Sequence, residues 1–242
     1  MKIILTILIS ILTLVVFSQD TTYYDRDRNE VSSLKSSYYY EVADYDENDT
    51  NKVVETAYFK SGQIKHIKRY NLYSKKKQHG KRKEWHENGQ LRMDIDYQDG
   101  KFHGELLTYW ENGQLKRRDV YEMSDLIEGS VWDSEGKEVE YYDFMILPKF
   151  PDGQNGLVQY LRTNLKYPKK PKRKGITGRV LIGFVVERDG SVSNVYVVES
   201  VEKKLDKEAV KVVKRMPKWA PGMQDGVNIR VHYVLPIRFS MN

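Results

Sequence analysis

The chain has 242 residues, a formal net charge of +6, 31% charged residues and no cysteine. That length suits two small domains. The missing cysteine excludes disulfides, thiolate chemistry and lipid attachment through sulfur, and argues against a zinc site. The basic balance fits nucleic acid, an anionic surface or plain solvated lysines, and the start of the chain narrows the choice.

Lys2 precedes an apolar run over residues 3–17. The run is short of the roughly twenty residues that span a bilayer as a helix. A basic start, an apolar stretch, and Val16 and Ser18 at the recognition positions read as a secretory signal over residues 1–18, cleaved before Gln19. The alternative is an uncleaved inner-membrane anchor with the body in the periplasm. Either way the body is exported to the periplasm, and no nucleic-acid partner is expected. Residues 19–52 read as a polar linker, with turn formers over 44–51 and room for one strand at 37–42.

Residues 53–145 carry a repeat. Lys60-Ser61-Gly62-Gln63-Ile64-Lys65 returns as Glu87-Asn88-Gly89-Gln90-Leu91-Arg92 and as Glu111-Asn112-Gly113-Gln114-Leu115-Lys116. Ser134-Glu135-Gly136-Lys137 is a degenerate fourth copy, and His79-Gly80, His103-Gly104 and Glu128-Gly129 form a second recurring phrase. Each unit predicts a strand, a turn with glycine at positive φ, and a second strand. The aromatic residues before the turns, Tyr58-Phe59, Trp85, Tyr109-Trp110 and Trp132, are expected to stack from hairpin to hairpin. The pattern resembles the bacterial variant of the MORN repeat, which implies a scaffold or binding surface without chemistry. A plain spacer sheet and a surface for a protein, glycan or lipid both remain open. The basic runs 75–77 and 81–83, and the loop 169–174, could meet an anionic envelope surface or simply be solvated.

Residues 148–242 read element by element. Leu157, Tyr160, Leu161 and Leu165 recur at helical spacing, closed by Tyr167-Pro168. Val180, Ile182, Phe184 and Val186 alternate as a strand face; Asp189-Gly190 turns the chain, and residues 192–199 return. Val201, Leu205, Ala209, Val212, Val213 and Met216 mark a second helix, stopped by Pro217. One long strand is then expected from Val227 to Phe239. The fold class is α+β: a C-terminal three-stranded antiparallel sheet with two helices, preceded by an antiparallel β-hairpin repeat sheet.

The order of these elements, with Met216-Pro217-Lys218-Trp219-Ala220-Pro221-Gly222 and the closing Leu235-Pro236-Ile237-Arg238-Phe239, resembles the C-terminal domain of the TonB energy-transducer family. The resemblance implies a periplasmic binding module. It would take the N-terminal peptide of an outer-membrane TonB-dependent transporter by strand addition, with inner-membrane motor proteins as the family's further partners. Two features depart from the family's pattern: no proline-rich spacer occurs, and Ser10 in the apolar run has no companion histidine.

Pro236 has no N–H, so it belongs on an edge with its nitrogen outward. Backbone groups alternate in direction along a strand. Asn228, Arg230, His232 and Val234 are therefore the expected peptide-binding positions, and Ile229, Val231, Tyr233 and Leu235 bond inward. No catalytic motif, cofactor signature or metal-ligand set occurs, so no enzyme, cofactor or metal is expected. The alternative function is an envelope scaffold acting through its repeats, without energy transduction.

Overall fold

The computed structural model describes residues 20–241. The expected signal or anchor lies outside them. The chain forms two compact units, one ending at Tyr141 and one beginning at Tyr142.

The first unit is one antiparallel sheet. Its strands are β1 (Asp20–Tyr24), β2 (Glu30–Val31), β3 (Tyr39–Tyr45), β4 (Val53–Phe59), β5 (Ile64–Leu72), β6 (Lys77–Gln78), β7 (Gly80–Trp85), β8 (Leu91–Gln98), β9 (Lys101–Tyr109), β10 (Leu115–Glu122), β11 (Asp125–Trp132) and β12 (Glu138–Val139). They follow the order β12-β11-β10-β9-β8-β7-β5-β4-β3-β1-β2, with β6 beside β5. The repeat turns form as expected: Gly62, Gly89, Gly113 and Gly136 sit at φ +88°, +86°, +85° and +84°. Asn88 fastens its turn twice. Its Oδ1 accepts from Gln90 N (3.0 Å), and its Nδ2 donates to Glu111 O in the next turn (2.9 Å). Asn112 repeats this with Gln114 N (3.0 Å) and Ser134 O (3.1 Å).

Three expectations need correction here. The stretch read as a linker supplies β1, β2 and β3 and extends the sheet. Its turn signals are real, since Asp46 caps the turn before β4 through Asn48 N and Asp49 N. What hid the strands is the chemistry of the buried face. Directly opposed residues share a face. That face runs from Glu41 through Ala57 and His66 to Glu84, Met93, Thr108 and Arg117. Charge points inward on it, so hydropathy does not alternate. The second correction concerns the rings. Tyr58 and Phe59 do meet rings of the neighbouring strand, Tyr40–Tyr58 at 5.3 Å and Tyr38–Phe59 at 5.8 Å, but the other ring contacts use residues further along the strands, as in Tyr97–Phe102–Tyr121, with centroids 5.3 and 5.2 Å apart. The tryptophans before the turns are joined instead by Trp110 Nε1 donating to Trp132 O (3.1 Å).

The second unit contains β13 (Met145–Ile146), α1 (Gly153–Asn164), α2 (Lys169–Arg173), β14 (Gly178–Val186), β15 (Val192–Glu199), α3 (Lys203–Val213), β16 (Gly222–Gln224), β17 (Val227–Ile229) and β18 (Val231–Phe239). The basic loop is thus a short helix, opened by Pro168 and Lys169. The three-stranded sheet runs β15-β14-β18. Val180, Ile182 and Phe184 of β14 and Leu235, Ile237 and Phe239 of β18 form its buried face, covered by Leu157 of α1 and by Leu205, Ala209 and Val213 of α3. Trp219 fills the end of this core, 5.3 Å from the rings of Phe150 and Tyr233 and 5.7 Å from Phe184.

The third correction is that the single long C-terminal strand is two strands in two sheets. β17 belongs to a small sheet ordered β13-β16-β17, and the ladder breaks at Arg230. The turn between β16 and β17 is Asp225-Gly226, with φ +49° and +77°. Two successive positive φ angles match the twist of a two-residue hairpin, and Asp-Gly is its common sequence.

Candidate functional site

The nine residues of β18 pair with β14 in unbroken register, from Gly178↔Phe239 to Val186↔Val231. β14 fills one side of β18, and among the described residues no strand pairs with the other side. Leu181 stands opposite Pro236. Proline cannot donate, so this is a pair whose backbone groups point away from the shared ladder. Two and four residues back, Val234 and His232 share that phase. Their N–H and C=O groups face the open edge.

The far edge of the sheet differs. β15 loses register against β14 twice, between Leu181 and Ile182 and between Gly183 and Val185, and Asn194 within it has φ +47°. Such irregularities twist an edge and blunt it against further pairing. β18 keeps unbroken register, with Pro236 as an interruption on its open edge.

The four expected peptide-binding positions therefore separate. His232 and Val234 lie on the open edge of β18, and the Val234 side chain is exposed. Asn228 lies on β17 opposite Met223, and its Nδ2 donates to Arg188 O (3.0 Å). Arg230 sits at the junction of the two strands, where its Nε lies 2.8 Å from Glu187 Oε2. Burial works against the Glu187 carboxylate, but Ser193 and Arg230 outweigh it and lower its pKa. Arg230 ties the start of β18 to the end of β14 and frames the edge from behind. Asp225-Gly226, just before the expected strand, was the sequence signal for the β16–β17 hairpin, which takes Val227–Ile229 into a different sheet.

The first unit contains a buried network that no sequence motif announces. Lys68 Nζ lies 2.8 Å from Glu55 Oε1 and 3.3 Å from Glu41 Oε1, and His66 Nε2 lies 2.9 Å from Glu41 Oε1. Glu41, Glu55 and His66 bring one ligand atom each within 4.8 Å of one another. The Lys68 ammonium already bridges the two carboxylates, so the group is an internal ion network. Burial lowers the His66 pKa to about 4, against the hydrogen bond of Glu41. Burial would raise that of Glu41, but His66 and Lys68 hold it at about 2. At the other end of the sheet Arg117 Nη1 lies 2.9 Å from Asp119 Oδ2, with both side chains fully buried. The hydroxyls of Tyr121 (3.2 Å) and Tyr141 (3.4 Å) donate to the same oxygen.

Among the described residues no helix is long and apolar enough to cross a membrane.

Comparison with known proteins follows the two units. The family described as Gram-negative bacterial TonB protein C-terminal matches residues 163–241. The MORN repeat variant matches residues 78–99 and 102–123. Both resemblances drawn from the sequence are borne out, and the first supports a TonB-like role for the C-terminal unit. Two NMR solution structures of Helicobacter pylori TonB-CTD are similar to this chain. One is 26% identical, covering 36% of this chain and 78% of that one, with a TM-score of 0.29. The other is 28% identical, covering 35% and 88%, with a TM-score of 0.29. No curated protein matches the chain.

Proposed function

We propose that the C-terminal unit is a periplasmic TonB-like binding module. It captures the N-terminal peptide of an outer-membrane TonB-dependent transporter as an added strand on β18, and so supports transport across the outer membrane. The observation that carries this reading is the open edge of β18: an unbroken ladder on one side, and outward backbone groups at His232, Val234 and Pro236 on the other. Strand addition needs such an edge, because main-chain hydrogen bonds supply the affinity. Recognition is by binding, with no chemical step. Asn228 and Arg230 hold the edge in place through Arg188 and Glu187.

The test exploits the alternation. Val234→Pro removes an N–H that points outward, and Leu235→Pro removes one that points at β14. A synthetic peptide of a transporter N-terminus, taken from the same organism, is titrated against each variant alongside thermal melts. Val234→Pro is expected to keep the fold and lose at least about tenfold in affinity, which corresponds to about 1.4 kcal/mol. Leu235→Pro is expected to unfold the unit. Parental binding by Val234→Pro, or unfolding as severe as that of Leu235→Pro, overturns the assignment of this edge.

A further inference from the structure

Between the first and second repeat turns the sheet opens a cavity of about 540 Å³. We propose that this cavity is a binding site for an acidic saccharide, a pyranose ring carrying one carboxylate.

The residue that points to the charge is Lys65. It occupies the repeat position that Arg92 and Lys116 hold in the next two copies. Arg92 is neutralised by Glu84, with Nη1 2.6 Å from Oε2. Lys116 Nζ sits 4.5 Å above the Trp110 ring. The Lys65 ammonium lies 4.5 Å above the Tyr39 ring and 6.0 Å from that of Phe59, with no carboxylate in salt-bridge contact. Glu84, the acid nearest in influence, is already held by both Arg82 and Arg92. The charges acting on Lys65 are Glu84 on β7, Lys68 on β5, Arg92 on β8 and Arg28 before β2. Burial, with three cations against one carboxylate, lowers its pKa to about 8. A half-buried cation in that position favours an incoming anion.

The other walls select what carries the anion. Tyr38, Phe59 and Trp85 are among the lining residues, and aromatic rings suit the C–H face of a sugar ring. Glu87 takes the Tyr38 hydroxyl on Oε1, leaving Oε2 for a sugar hydroxyl. Glu84, Glu87 and Glu111 line the cavity beside Lys65 and Arg92 and oppose a dianion, so a single carboxylate fits better than a phosphate. The volume falls within the usual range for small-ligand sites, about 300–1,000 Å³.

The experiment titrates the full chain with glucuronate, glucose, acetate and inorganic phosphate by calorimetry, and follows the Lys65 side chain by NMR. Glucuronate is expected to bind at least about ten times more tightly than the other three, and to raise the Lys65 pKa by about one unit or more at saturation. Lys65→Gln is expected to reduce glucuronate binding to the level of glucose. Tighter binding of phosphate or acetate identifies a bare anion seat and overturns the saccharide. Binding no tighter than that of glucose, or a Lys65 pKa that does not move, overturns the site. The NMR titration uses the unmodified chain, so it decides the matter even where Lys65→Gln fails to fold.

Discussion

Arg117 and Asp119 lie two apart on β10, both side chains fully buried and 2.9 Å from each other. Asp119→Leu removes the carboxylate and leaves the guanidinium facing an apolar group. Breaking a buried pair from one side costs about 3–5 kcal/mol. The hydroxyls of Tyr121 and Tyr141 also lose their acceptor, at about 1 kcal/mol each. The expected loss is therefore about 5–7 kcal/mol, a large part of the roughly 5–15 kcal/mol that holds a domain together. Replacing both partners is different, because two apolar side chains leave no charge to bury. The double variant Arg117→Met, Asp119→Leu is expected within about 2 kcal/mol of the parent. Native-state hydrogen exchange reads the repeat sheet separately from the C-terminal unit, and urea melts give the global value. The reasoning fails if the double variant loses the sum of the two single losses, or if Asp119→Leu loses less than about 1 kcal/mol.

Two further predictions concern one unit each. Gly190 has φ +83°, and a Cβ there would lie 2.0 Å from Trp219 O. Gly190→Ala must push the β14–β15 turn away from Trp219, break the bond from Trp219 N to Gly190 O (2.9 Å) and loosen the aromatic cluster. Adding about 1–2 kcal/mol of backbone strain to about 1 kcal/mol for the bond predicts a loss of at least about 2 kcal/mol in urea melts, with an unchanged slope. For pH, the folded His66 pKa of about 4 lies below its ordinary value of 6.5. The unfolded chain therefore takes up a proton between those values that the folded sheet refuses. Stability of the repeat unit should fall by roughly 2–3 kcal/mol as pH drops from 7 to 4. It should fall further as Glu41 is protonated between about 4.5 and 2. Urea midpoints at pH 7, 5.5 and 4 check this, and His66→Gln should flatten the first part.

Periodicity revealed what depends on local backbone geometry. The four turn glycines, both long helices and the β14–β15 hairpin follow from spacing alone. The second glycine phrase hides two causes. Gly80 and Gly104 have positive φ, whereas Gly129 lies flat against Tyr141, whose ring a Cβ would meet at 2.4 Å. The strand expected at 37–42 is β3, but β1 and β2 escaped notice, and the full length of β3 was hidden because Glu41 points inward and its partners, His66 and Lys68, come from another strand. The parity of Pro236 puts His232 and Val234 in its own phase on β18, in the unbroken register with β14. It failed beyond Arg230, where two- and three-residue strands carry too little pattern to be seen. Lys65 could not be distinguished from Arg92 and Lys116, because its place on the cavity wall comes from the fold and not from the repeat.

The side-chain amides that join neighbouring turns also bear on where the array can take a further copy. Asn88 reaches turn three and Asn112 reaches turn four. In the first turn that place is taken by Ser61, whose hydroxyl stays with Gln63. The cavity opens at this unlaced junction. In the fourth turn the place is taken by Glu135. A duplicated copy inserted between turns two and three would find a donor and an acceptor waiting at both joints. A copy appended after Gly136 would meet a carboxylate with no proton to offer, so that joint, like the one after Ser61, would lack the amide tie.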